Sequence, residues 1–247
     1  MSIIAVYNIK GGVGKTATSV NLAYFSAQQP GKTLLLDMDP QASASFYFRV
    51  RSPKKFGTKK LLKGGRYIED SIKGTDYPGL DMLPADFSYR NIDLALDELK
   101  KSRKWLGKAL APLHDEYDRI ILDCPPNLTL LSENIFHAAD YILMPVIPTT
   151  LSLLSLDQLF AFLDKIGLAH DKAVIFFSMV EKRKKMHMEM MQSLREQHRV
   201  LDAFIPYMAD IERMGLYRQP VAAARPASAA AAAYEDLWRE IQNLIAG

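Results

Sequence analysis

Lys10 and Lys15 bracket the run Gly11-Gly12-Val13-Gly14, and Thr16 follows at once. Closely spaced glycines let backbone N–H groups approach an anion, and a helix starting here adds the positive end of its dipole. Lys15 is placed to reach the β- and γ-phosphates of a nucleotide, and the Thr16 hydroxyl to bind Mg²⁺. The common phosphate-loop pattern, G-x-x-x-x-G-K-[ST], asks for glycine at position 9. This chain has Ile9 there and adds the second lysine, Lys10.

Carboxylates that could hold a cation or orient water stand at two further points. Thr33-Leu34-Leu35-Leu36-Asp37-Met38-Asp39-Pro40-Gln41 and Ile120-Ile121-Leu122-Asp123-Cys124 are apolar runs that end in acid. If both are strands of an open parallel sheet, their carboxyl ends lie where such sheets bind ligands. An aspartate after a strand is often only a helix cap. Three motifs in this order make that reading poor for the set, although it stays fair for Asp37.

The elements needed to position these residues are legible. Strand-like runs recur at 3–7, 33–37, 80–83, 119–123, 141–146, 173–178 and 203–206. Helix-like runs fall at 16–28, 88–100, 102–114, 129–137, 153–166, 186–198 and 230–245. Their alternation predicts an α/β fold, a doubly wound and mostly parallel sheet flanked by helices. The alanine-rich stretch from Val221 to Ala233 reads as a loop containing Pro226, followed by a terminal helix. That helix carries Tyr234, Leu237, Trp238, Ile241, Leu244 and Ile245 at helical spacing.

The K-G-G-x-G-K-[ST] loop resembles the signature of the deviant Walker A ATPases, the ParA, MinD and nitrogenase iron protein group. The resemblance extends to Gly79-Leu80-Asp81-Met82-Leu83-Pro84-Ala85 and to Ala138-Ala139-Asp140-Tyr141-Ile142-Leu143-Met144-Pro145-Val146. It implies a P-loop ATPase using ATP and Mg²⁺. Lys10 would cross a dimer interface to the partner's nucleotide, as an arginine finger does. Gly11, Gly12, Val13, Gly14, Lys15, Thr16 and Ala17 would cradle the phosphates, Ala17 through its backbone N–H alone. Asp123 matches the Walker B aspartate and Asp39 the aspartate that orients the attacking water. Asp37 would assist through the Mg²⁺ shell, so the metal set is Thr16, Asp37 and Asp123. Ile205-Pro206 resembles the I-P-R-N segment near the adenine, but Tyr207-Met208 replaces R-N, and only Pro206 is carried over.

Composition narrows the class. The chain has 247 residues, 49% of them hydrophobic, enough for one large core, and is read as a single domain over 1–247 without an N-terminal helix-turn-helix domain. It has no apolar run long enough to span a bilayer, and strand character begins too early for a signal peptide. One cysteine fits a reducing cytoplasm and is too few for an iron–sulfur cluster. Membrane-binding MinD-type relatives end in a basic amphipathic helix. Here the terminal helix carries Glu235, Asp236 and Glu240 against Arg239, so its apolar face is expected to pack on the core.

A net charge of +3 says little about nucleic acid; clustering must. Arg49 to Arg66 holds eight basic residues and no acidic one, Lys100 to Lys104 holds a second cluster, and Lys182-Arg183-Lys184-Lys185 a third. A charge run is usually a solvated face. For the third, resemblance to ParA proteins implies DNA contact at Arg183, with Lys182 and Lys184, and at Arg213.

The leading expectation is a ParA-type ATPase, cytoplasmic and nucleoid-associated. It would form an ATP-dependent homodimer, bind DNA non-specifically and position a cargo (a plasmid, a chromosome or a protein body such as a carboxysome) over the nucleoid, through a ParB-like or other adaptor that stimulates hydrolysis. A MinD-like, membrane-associated ATPase is the alternative. A metabolic ligase or reductase on the same fold is a third reading. No sign of a second substrate pocket or of cysteine ligands supports it.

Overall fold

Successive side chains along the central strands go to opposite faces, and both faces are apolar. In the computed structural model, which describes residues 1–99 and 102–246, this pattern yields one eight-stranded sheet covered by helices on both sides. The strands are β1 (Ser2–Val6), β2 (Thr33–Asp37), β3 (Lys73–Gly74), β4 (Leu80–Leu83), β5 (Arg119–Asp123), β6 (Tyr141–Val146), β7 (Ala173–Val180) and β8 (Val200–Pro206). Their order is β3-β4-β2-β5-β1-β6-β7-β8. Only the two-residue β3, which the sequence did not reveal, runs antiparallel. β7 and β8 run on past the expected strands, β7 at its end and β8 at its start.

Five longer helices flank the sheet: α1 (Lys15–Ala27), α2 (Leu130–Ala138), α3 (Thr150–Lys165), α4 (Lys185–Gln197) and α5 (Ala229–Ala246). Ile4, Val6, Leu35, Ile121 and Phe176 face the side where α1 and α5 pack, with Val20, Tyr234, Leu237 and Trp238 closing that core. Ala5, Leu34, Leu36, Leu122 and Phe177 face the opposite side, under α2 and α3. Each such Leu or Ile removed from water contributes about 1.5–3 kcal/mol. The apolar face of α5 is therefore spent on the core, as its acidic outer face implied. No helix among the described residues is long and apolar enough to cross a membrane.

Two expected helices are broken. The 88–100 segment is a 3₁₀ turn, Phe87–Asn91, and then a short helix, Ile92–Asp97. The 102–114 segment splits into a turn at Ser102–Lys104, a helix at Trp105–Leu110 and a 3₁₀ turn at Ala111–Asp115. Pro112, which has no N–H to donate, opens that last turn. Lys100 and Lys101 lie outside the described residues. The alanine-rich stretch is not all loop. Val221–Ala224 forms one helical turn before Pro226, and α5 begins at Ala229.

Candidate nucleotide site and basic surfaces

α1 and α2 follow β1 and its neighbour β5 but cover opposite faces, which opens a crevice at the carboxyl ends of these strands. Register places Val6 beside Asp123, and Asp123 beside Asp37. The loop after β1 and both carboxylates therefore meet at one level. Gly14 caps α1 with φ 91°, a left-handed conformation natural to glycine, and no side chain caps the helix. α2, by contrast, begins with a capping box made by Thr129 and Ser132. The first amides of α1 are thus left to an external acceptor.

Side chains elsewhere in the fold hold the loop. Asn8 Nδ2 donates to the Pro145 carbonyl (2.9 Å), and Asn8 Oδ1 accepts the Lys10 N–H (2.9 Å). Ser178 Oγ donates to the Val13 carbonyl at 2.6 Å. Lys15 is buried, and its ammonium donates to the Lys10 carbonyl at 3.1 Å. Burial lowers the Lys15 pKa; Asp123, Cys124 and Asp39 oppose that shift. Lys10 is half-buried at the mouth of the loop, and Gly11 and Gly12 are exposed beside it.

The carboxylates are set differently. Asp123 is fully buried; Ser19 Oγ donates to its Oδ1 at 2.9 Å, and its Oδ2 has no partner among the described residues. Burial pushes this carboxyl upward and Asp37 pushes it further, against hydrogen bonds from Ser19 and Thr16. Burial raises Asp37 as well, against two hydrogen bonds from Ser45: N–H at 2.8 Å and Oγ–H at 2.7 Å, both to Oδ2. Asp39 is more open and accepts the Gln41 N–H at 2.9 Å. An orphaned buried oxygen on Asp123 suits a divalent cation. No group of three or more His, Cys, Asp or Glu among the described residues could hold one alone. That fits Mg²⁺, which is bound by one or two protein groups together with phosphates. Cys124 is buried and burial pushes its thiol up, so it is an inert apolar residue.

A cleft of about 50 Å³ opens beside Gly14 and Thr18 and is lined by Pro206, Tyr207, Met208 and Ile211. Pro206 shares this cleft with Gly14 of the loop, and Tyr207, Met208 and Ile211, which sequence reasoning did not carry over, stand with it. Ser19, Ser45, Ser178 and Asn8 were missed too. Only the i,i+4 step from Lys15 to Ser19 on one helix face could have flagged one of them.

The first and third basic clusters lie in different regions, while Arg103 of the second pairs with Glu133. Lys182, Arg183 and Lys184 lie in the turn from β7 to α4, and Arg213 follows β8, so all four sit at the carboxyl ends of two adjacent parallel strands. Lys184 pairs with Glu181, and the Lys182 ammonium lies 4.9 Å from the centre of the Phe204 ring. Arg183 and Arg213 are exposed, and neither forms an ion pair among the described residues. The Arg49–Arg66 segment runs instead toward the other end of the sheet, where Thr58–Lys63 packs on the helix after β4.

Known proteins resemble this chain in sequence and in fold. The family described as "AAA domain" matches residues 1–175. A chromosome partitioning protein ParA of Myxococcus xanthus is 32% identical over 98% of this chain and 88% of its own. A virulence-plasmid ParA family protein of Chlamydia psittaci is 31% identical over 98% of this chain and 95% of its own. A plasmid partition protein of Borrelia burgdorferi, solved bound to AMPPNP, is 25% identical, covers 98% of each chain and superposes with a TM-score of 0.86.

Proposed function

The chain belongs to the ParA/MinD superfamily of P-loop ATPases, and on that premise we propose that it positions a cargo on DNA through an ATP-gated dimer. The observation that carries this reading is the loop from Lys10 to Thr16, which leads into an uncapped α1 at the level of Asp37 and Asp123. Backbone amides of Gly11 to Ala17 and the Lys15 ammonium bind the phosphates of ATP. The cleft at Pro206 receives the base. Thr16 and Asp123, with Asp37 behind them, hold Mg²⁺, which when bound neutralises charge on the β- and γ-phosphate oxygens. Asp39 orients water for attack on the γ-phosphorus. Lys10 projects from the loop mouth toward the partner subunit's nucleotide, so hydrolysis waits on dimerisation.

Arg183 and Arg213, aided by Lys182 and Lys184, present an exposed basic surface at one end of the sheet. Phosphates need little more than such a surface for sequence-independent binding. A cargo adaptor stimulates turnover, and the ADP form releases DNA. The roles named for the relatives include chromosome partitioning and plasmid partition. The MinD-like alternative loses its footing because the apolar face of α5 is buried.

The experiment is binding of the purified protein to random-sequence duplex DNA with ATP, with ADP and without nucleotide, at two salt concentrations. Binding with ATP alone, weaker at the higher salt, is expected. Equal binding in all three states would remove the ATP gate from the proposal.

A further inference from the structure

The turn between β7 and α4, Glu181-Lys182-Arg183-Lys184, contains no Gly, Pro, Asn, Asp or Ser, the residues that ordinarily pre-set a turn. Lys184 gives α4 no side-chain cap. Within the turn, Lys184 N–H donates to the Glu181 carbonyl at 3.0 Å, and the two side chains pair. A further tie comes from the first turn of α4. His187 is buried, and its Nδ1 accepts the Glu181 N–H at 3.2 Å. Its backbone N–H donates to the Lys184 carbonyl at 3.0 Å, so this one residue holds both ends of the turn. The entry to the turn is held against a preference as well. Met179 has φ 51°, a left-handed conformation that costs a residue with a Cβ.

An accepting Nδ1 carries no proton, so the imidazole is neutral with its proton on Nε2. A proton gained at Nδ1 would set two N–H donors against each other. Burial opposes that proton and so does the Lys184 charge, while Glu181 favours it; these are the charged groups that act on the imidazole among the described residues. The His187 pKa therefore lies below the ordinary histidine value of about 6.5. The tie is whole above that pH and is lost as pH falls through the depressed value.

We propose that neutral His187 positions the turn of Lys182, Arg183 and Lys184 for DNA, and that protonating it weakens DNA binding. The inference rests on the DNA-binding part of the reading above. Bulk charge predicts the opposite sign, because acidification adds positive charge and positive charge strengthens binding to phosphates. A turn freed from His187 must be ordered again when DNA binds, and that cost opposes binding.

The test measures affinity for random-sequence duplex DNA with the full chain held by a non-hydrolysable ATP analogue. The pH runs from about 8 to about 5.5, either side of the ordinary histidine value, at constant ionic strength. His187→Asn keeps an acceptor near the place of Nδ1 but takes up no proton. At the upper pH the two proteins bind alike. As pH falls the parent loses roughly tenfold relative to the variant, the scale of re-ordering one backbone residue. Parallel profiles, or a parent that gains affinity on acidification as the variant does, overturn the proposal. A second reading needs no variant. In parent protein labelled with ¹⁵N-histidine, linkage requires DNA to lower the His187 titration midpoint if the neutral form favours DNA. Phosphates alone would raise the midpoint of any nearby imidazole. A lowered midpoint supports the proposal, and an unmoved or raised one overturns it. A parent that binds no DNA at the upper pH defeats the DNA-binding reading itself. Binding there with no difference between parent and variant at any pH defeats the role of His187 alone.

Discussion

Ser45 serves two buried groups with one hydroxyl: it donates to Asp37 and accepts from the Ala85 N–H. In Ser45→Ala the carboxylate keeps only one of its two Ser45 hydrogen bonds, and the Ala85 amide is left without that acceptor. An orphaned buried donor costs about 1–3 kcal/mol. A fall in urea stability of that size, with slower ATP turnover, is expected; unchanged stability would show that solvent reaches the site. The two loop lysines divide the work differently. Lys15 is bound to the loop's own carbonyl, whereas no ion pair among the described residues involves the Lys10 ammonium. Lys15→Ala and Lys10→Ala should each abolish turnover, but only Lys10→Ala should keep nucleotide affinity. Mixing the two inactive proteins is the sharper test. A mixed dimer has one site with an intact Lys15 and a partner's intact Lys10, so partial activity returns if the lysine acts across the interface. Two inactive proteins that stay inactive when mixed would place Lys10 in its own subunit's site.

Among the elements, β8 is an outer strand and so presents backbone groups on which another chain could pair. Glu240 on α5 covers part of that edge: its two oxygens accept the Asp202 and Ala203 N–H groups at 2.8 and 2.7 Å. Glu240→Ala bares both amides. We expect association that grows with concentration, visible by light scattering, while ATP turnover at low concentration is retained; a variant monodisperse at all concentrations would show that α5 shields the edge without the carboxylate. Elements like β1, β2 and β5 were legible because a doubly covered strand must be apolar on both faces over a short run. The 88–100 helix was not, because Leu94 and Leu99 add to the apolar pattern yet face solvent, leaving Ile92 and Leu96 to anchor a short helix. In the alanine-rich stretch, residues that suit a helix carry no face to read. The same limit applies at the site. Lys10 to Thr16, Asp37, Asp39 and Asp123 announce themselves after strands, whereas Asn8 reaches Pro145, Ser45 takes the Ala85 amide and Ser178 reaches Val13, contacts that only the fold brings together.

For the whole molecule, a net charge of +3 conceals its clustering: one basic cluster lies at the β7–β8 end of the sheet, and another runs from Arg49, which donates to the Arg218 carbonyl, toward the β4 end. Within the β7–β8 region the charges are not equal. Lys184 is already engaged by Glu181, while Arg183 is exposed and forms no ion pair among the described residues. Arg183→Glu should therefore lower DNA affinity by roughly tenfold or more and flatten the slope of log affinity against log salt by about one contact. Lys184→Gln should do less, since it removes one charge that Glu181 already engages, whereas Arg183→Glu reverses a free one. ATP-dependent dimerisation, followed by sedimentation, should survive both changes because neither residue belongs to the nucleotide loop. If the two variants lost DNA affinity equally, the surface would respond to bulk charge, not to the free guanidinium. If neither lost any, the β7–β8 end would be only a solvated face, and the clusters at Arg49 to Arg66 and Lys100 to Lys104 would become the remaining candidates for the phosphate backbone.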